Sequence, residues 1–227
     1  MGQPWYLALF DFRKKLGIGG KLLLCFLAVA LLPLAIAGSL AIRHAANILE
    51  SEVVTNLTST VDAKARQVDT YFSEARRNVT TLAHNPSVID ALERFVAAYH
   101  RGVDSAEYRA VDDELRPYLT YYQAYYEDED RYYDLFLISP DGDIVFSVVK
   151  EDDFASNLLS GPLRETELAS VFRTASTSHV TDISDFRFYH PSHEPAGFIA
   201  APVFNNERLM GVVALQMSVR EINEIAA

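Results

Sequence analysis

The chain has 227 residues, 49% of them hydrophobic, and a formal net charge of −11. Residues 1–43 hold five Lys/Arg and one Asp, so the remaining 15 Lys/Arg and 30 Asp/Glu leave everything downstream at −15, which argues against nucleic acid or an anionic membrane surface as a partner. Cys25 is the only cysteine, so the chain past residue 25 has neither a disulfide nor a thiol nucleophile.

Residues 22–42 run without a charge from Leu22 to Ile42. A helix of that length spans about 31 Å, the thickness of a bilayer's hydrocarbon core. Pro33 is tolerated in such a helix. Arg13, Lys14, Lys15 and Lys21 precede the run. Positive flanks stay inside, which predicts a cytoplasmic tail over 1–21, a transmembrane helix over 22–42, and residues 43–227 outside. Trp5, Tyr6, Phe10 and Phe12 are candidates for the inner interface. A cleaved signal peptide is the competing reading, with small residues at Ala35 and Ala37, but its apolar region would be shorter than this one. A lipoprotein attached through Cys25 is weakened by the bulky Leu24.

From Arg43 to about Asn85 there is neither Gly nor Pro. Val54, Leu57, Val61, Ala65, Val68, Phe72, Ala75, Val79 and Leu82 recur at spacings of three and four, the signature of one helical face. The pattern predicts a stalk helix of roughly 60 Å. Its stripe has two possible partners, its own domain and a second copy of the chain, and we expect both, at different heights. Ser87 is the expected cap of a helix over 88–100. A further helix is expected from Asp104 or Ser105 to Tyr125, with Pro117 a potential kink. Residues 43–131 thus form the stalk and a helical layer. Glu127–Asp130 reads as a solvated turn, because it lacks the alternating acids and Gly of a calcium loop.

At Tyr132 the period changes. Short apolar runs at 134–138 and 144–149 flank Ser139-Pro140-Asp141-Gly142, which predicts a β-hairpin. A long loop over 150–164 follows, then a helix capped by Thr166. Three more strands are expected at 179–186, 197–204 and 209–218, the last two joined by a turn at Asn205–Glu207. Residues 132–221 form the sheet module, and 222–227 begin an exit helix. The fold class is α+β: one transmembrane helix, a long amphipathic stalk helix, and a PAS-like five-stranded antiparallel sheet with flanking helices.

Four pieces read together resemble the Cache domain, the extracytoplasmic sensor module of bacterial receptors. They are the span with its uninterrupted helix, residues 133–147 (YDLFLISPDGDIVFS), residues 150–162 (KEDDFASNLLSGP), and the pair 198–204 (FIAAPVF) and 211–216 (GVVALQ). The third piece resembles a subset of double Cache receptors that includes methyl-accepting chemotaxis proteins and sensor histidine kinases. The resemblance implies the front end of a receptor, with a second module, a second span and an output domain expected beyond Ile222. It also implies a ligand lying between the sheet and the loop and helix that cover it. That places Tyr132, Phe136, Phe146, Ser147, Arg164, Phe172, Asp182, Phe186, Tyr189 and Phe198 near a small organic ligand. Arg164 is the expected grip on a carboxylate, and Asp182 the expected partner of an ammonium. The Tyr-Arg-Trp-Tyr-Asp pattern of amino-acid-binding double Cache domains is not found, which argues against an amino-acid ligand.

The chain carries no recognisable catalytic constellation. Ser139 and Ser147 lack a Gly-x-Ser-x-Gly setting. His190 and His193 near Asp182, Asp185, Glu194 and His179 could hold zinc, but a polar loop is the simpler reading, so no metal and no cofactor are expected. The functional expectation is a non-enzymatic, membrane-anchored sensor of a small molecule, a homodimer through the long helix. The alternative is an anchored dimerisation stalk without a ligand. A ligand pocket would favour the first, and a filled core with no cavity the second.

Overall fold

A computed structural model describes residues 17–125 and 132–226. The expected interfacial aromatics before residue 17 and the acidic turn Glu127–Asp130 lie outside the described residues. Two compact units are distinguished, Met1–Asp62 and Ala63–Ala227.

Helix α1 runs Ile18–Ala83 with Pro33 inside it. In the first unit, Ile18–His44 is long and apolar enough to cross a membrane. Its large side chains are exposed, among them Phe26, Val29 and Leu34 at 69–73%. That is what a lipid-facing surface requires, since every backbone group is bonded within the helix. Val53, Val54, Leu57 and Val61 are also half or more exposed.

In the second unit the sequence stripe turns inward. Tyr71, Ala75, Val79, Leu82 and Ala83 are buried at 0–2% exposure. Helix α2 spans Pro86–Tyr99, and its cap is Asn85, whose side chain accepts from the Ser87 N–H. The expected cap at Ser87 is thus displaced by two residues. Pro86 takes the first helical position, where a missing N–H costs nothing. Helix α3 spans Ala106–Tyr125 and continues through Pro117. Ser105 caps it by accepting from Tyr108 N at 3.0 Å.

Strand β1 (Tyr132–Ile138) pairs antiparallel with β2 (Ile144–Ser147). The turn between them closes with Gly142 N–H donating to the Ser139 carbonyl, and Gly142 takes φ +88°, which its missing Cβ permits. Helix α4 (Glu167–Ser178) is capped by Thr166, as expected. Strands β3 (Asp182–Ile183), β4 (Arg187–Tyr189), β5 (Glu194–Asn205) and β6 (Arg208–Ser218) follow, then helix α5 (Val219–Ala226). The sheet order is β2-β1-β6-β5-β3, with β4 also paired to β5. The strand expected over 179–186 is in fact this β3 alone, with β4 beginning after it. His179 sits in the left-handed conformation at the end of α4. Ser184 interrupts the ladder by accepting from Phe198 N through its side chain. The Phe186 ring then lies over Gly197, where an added Cβ would come within 2.9 Å of it.

The sheet has two covered faces. Leu135, Leu137, Val213, Leu215 and Ile199 meet α1, α2 and α3, while Phe136, Ile138, Val212, Ala214 and Phe198 meet α4 and the loop before it. A register shift between Leu137 and Ile138 sets Leu137 opposite Phe146 but Ile138 opposite Ile144. The extra residue, Val145, therefore joins Phe146 on the helical side. That shift decides which β2 residues face α4.

Candidate functional site

The loop over 148–166 is held to the β2 edge by backbone bonds. Ile144 N donates to Ser156 O, Ala155 N to Ile144 O, and Leu158 N to Gly142 O. Those bonds satisfy an otherwise open strand edge and carry Asp153 into the interior. The next step inward is a row across the sheet. Asp134 on β1 lies opposite Gln216 on β6, which in turn lies opposite Phe198 on β5. All three share the α4 side, because Phe136 and Ala214, their neighbours two residues along, belong to that face.

Around this row sits a closed polar cluster. Asp134 is 1% exposed, and Ser147, Asp153 and Gln216 are fully buried. The Asp134 Oδ2 accepts from Ser147 Oγ at 2.6 Å. Its Oδ1 accepts from the N–H groups of Leu135, Val148 and Val149 at 2.6, 2.8 and 3.3 Å. Tyr189 donates its hydroxyl to Asp153 Oδ2 at 2.9 Å and packs edge-on to Phe198 at 4.8 Å. Gln216 donates through Nε2 to Ser192 Oγ at 3.0 Å. Two acceptors, Asp153 Oδ1 and Gln216 Oε1, have no hydrogen-bond partner among the described residues.

Electrostatics follow from burial. Desolvation pushes the Asp134 carboxyl up to about 7, against the pull of Ser147 and the backbone donors, with Asp153 adding to the rise. Desolvation pushes Asp153 up to about 6, opposed by the Tyr189 hydrogen bond. Burial, and then the Asp153 charge, drive the Tyr189 phenol up. A site that resists negative charge and offers spare acceptors is suited to a group that brings positive charge and N–H donors.

The ten sequence-derived site residues divide between two faces. Phe136, Phe172, Tyr189 and Phe198 come together in the α4-side cluster, and Ser147 reaches it through Asp134. Tyr132 and Phe146 belong to the other face, where Tyr132 accepts from Asn78 and Phe146 packs against Phe95 at 4.8 Å. Phe186 is half-buried and packs with that same helical side. Arg164 is 61% exposed at its side chain and pairs with Glu165 at 3.2 Å. Asp182 is half-buried on β3, opposite Ala200. The sequence reading passed over Asp134, Asp153 and Gln216. An Asp and a Gln within apolar strand runs, in DLFLI and GVVALQ, were the available signal, because a polar residue there must be buried with partners.

No protein-family model matches the chain, and no curated protein matches it. Solved structures share its fold. The histidine kinase DctB sensor domain of V. cholerae superposes with a TM-score of 0.53 at 16% identity, over 77% of this chain and 59% of that one. The sensory domain of the Campylobacter jejuni chemoreceptor Tlp3 gives 0.52 at 12%, over 78% and 65%. The ligand-binding domain of Tlp3 in complex with L-valine gives 0.51 at 12%, over 78% and 64%. The chain spans about three-fifths of the length of these domains. What the chain shares with these sensor domains is their fold.

Proposed function

We propose that this chain, folded as a Cache-type sensor and anchored by one apolar helix, is the front end of a bacterial receptor of the chemoreceptor or sensor-kinase kind. Its N-terminus lies in the cytoplasm, and the domain after residue 43 lies in the periplasm. It binds a small organic ligand on the α4 side of the sheet and passes the signal through its helices toward the membrane. The observation that carries this reading is the pair of buried acceptors, Asp153 Oδ1 of the loop and Gln216 Oε1 of the sheet, that have no hydrogen-bond partner among the described residues. A buried acceptor left unpaired costs about 1–3 kcal/mol, so a donor-bearing ligand gains by supplying the missing bonds.

The ligand class we favour is an organic ammonium compound that makes no carboxylate anchor at Arg164, since that side chain is exposed and paired with Glu165. The cluster is closed, so entry requires the loop over 148–166 to move. The exposed Val54, Leu57 and Val61 on α1 support pairing with a second copy of the chain.

Thermal-shift screening of the soluble piece 44–227 against primary and secondary amines tests the reading. A stabilising amine is expected, and its effect should vanish in Asp153→Ala. If no amine stabilises the wild type, or if the shift survives in Asp153→Ala, this site is not the ligand site.

A further inference from the structure

Asp134 is a buried carboxylate whose direct partners among the described residues are all neutral: one hydroxyl and three backbone N–H groups. Two of those N–H groups lead to a cation. The peptide unit that joins Ser147 to Val148 offers its N–H to Asp134 Oδ1, and its carbonyl accepts from Arg116 Nη2 at 3.2 Å. The next unit does the same. Val149 N–H points to Asp134 Oδ1, and the Val148 carbonyl accepts from Arg116 Nη1 at 2.7 Å. Two parallel peptide dipoles thus run from one guanidinium on α3 to one carboxylate on β1.

Arg116 is fixed for this task. Its Nε and Nη2 donate to Asp112 Oδ1 at 3.1 and 2.8 Å, and its guanidinium lies 4.8 Å over the Phe146 ring. Lys150 closes the segment from its other end, with its N–H on Ser147 Oγ at 2.8 Å and its Nζ on Asp112 Oδ2 at 2.6 Å. Hydrogen bonds in series polarise one another, and more so away from water. A cation on the carbonyls makes the N–H groups better donors to the anion.

We propose that Arg116 is a positioning residue of the site: through the two peptide groups after Ser147 and Val148 it acts as the counter-ion of Asp134, and it ties the site's charge to helix α3. The proposal takes the Asp134 cluster as the site, as in the reading above. The charged and titratable groups that face Asp134 from the other packed elements are Asp153 of the loop and Tyr189 of β4, with Tyr133 beside it on β1. Asp153 disfavours a second negative charge at Asp134 and the two tyrosines stay neutral, so the support relayed from Arg116 is what opposes Asp153. The relay also works backward. A cation bound beside Asp134 draws on the same carboxylate, weakens its hold on the 147–149 backbone, and so changes what α3 feels through Arg116.

The test is a carboxyl titration followed by NMR, on the full chain in micelles with ¹³C-carboxyl-labelled aspartate. The Asp134 signal is identified by its loss in Asp134→Asn. In Arg116→Gln the Asp134 midpoint should rise by about one pH unit, a tenfold change in proton affinity and the scale of a charge-assisted bond. Arg116→Lys should recover part of it. Asp112→Asn should move the midpoint downward, because the guanidinium loses its competing anion. A purely structural role for the Arg116–Asp112 pair gives the opposite sign, since loosening the segment would strip donors from Asp134. An unchanged midpoint in Arg116→Gln, or a rise in Asp112→Asn, overturns the proposal. If Arg116→Gln fails to fold, the sign of the Asp112→Asn shift decides alone. No ligand enters the measurement, so its outcome is independent of whether an amine is ever found to bind.

Discussion

Raising the pH from 4.5 to 7.5 should destabilise the sensor domain, against the usual trend for an acidic protein. Asp134 reaches about 7 and Asp153 about 6 in the folded state, both raised chiefly by burial. In the unfolded chain an aspartate titrates near ~3.9. Between those limits the folded state holds more protons than the unfolded one, so stability falls as pH rises. Asp134 alone spans about three pH units, worth about 4 kcal/mol at ~1.4 kcal/mol per unit, and Asp153 adds about 3 kcal/mol. The two carboxyls repel one another, so the pair titrates jointly and its total, about 4–6 kcal/mol, lies below that sum. At ~2–4 °C per kcal/mol for a domain of this size, the melting temperature should drop by about 10 °C or more across the window. Glu114 lies outside the argument, because its bond to Arg94 holds it below the usual range and its contribution is lost only at lower pH. Circular-dichroism melts of piece 44–227 at half-unit pH steps measure the slope. Asp134→Asn should flatten it, since the isosteric amide can still accept the backbone donors but does not titrate. A stability that stays level or rises from pH 4.5 to 7.5, or an Asp134→Asn slope equal to wild type, would refute the reasoning.

Other expectations can be checked directly. A phosphatase reporter fused after Ala227 should be active in the periplasm, and activity of a cytoplasmic reporter there would reverse the orientation. Gly211→Ala should cost more than about 2 kcal/mol, because residue 211 sits at φ +146° and an added Cβ would lie 2.2 Å from the Ile138 carbonyl oxygen; a urea midpoint near wild type would contradict the close approach. Arg164→Ala should leave affinity for a bound amine unchanged by calorimetry, and a loss of about 1.5–3 kcal/mol, the scale of a charged hydrogen bond, would return Arg164 to the site. Leu57→Glu should abolish a cross-link between cysteines placed on α1 of two copies, and persistence of that cross-link would rule out pairing along this stripe.

The sequence by itself determined what depends on local patterning. An uncharged run over 22–42 is long enough as a helix to cross a bilayer, and a stripe at spacings of three and four marks one helical face. The change to short apolar runs around Pro140-Asp141-Gly142 announced the hairpin, because only the turn chemistry of those residues reverses the chain so tightly. The cap expected at Ser87 lay two residues earlier at Asn85, where proline at the first helical position moved the boundary, while Thr166 capped its helix as expected. The strand at 179–186 was shortened by Ser184, whose side chain took the place of a ladder bond, an event with no periodic signature. The site was less legible. Phe136 and Phe198, named through the family resemblance, do share the α4 face. Phe146 went to the other face because a single extra residue at Val145 shifts the register, and a one-residue slip reverses every side chain after it. Asp134, Asp153, Gln216 and Arg116 converge from β1, the loop, β6 and α3, between 18 and 100 positions apart in the chain. No local rule links them. Only the tertiary structure buries two carboxyls together, leaves two acceptors unpaired among the described residues, and sets one guanidinium behind the peptides that hold one of those carboxyls, because desolvation and hydrogen-bond geometry exist only once the sheet and its two coverings have closed.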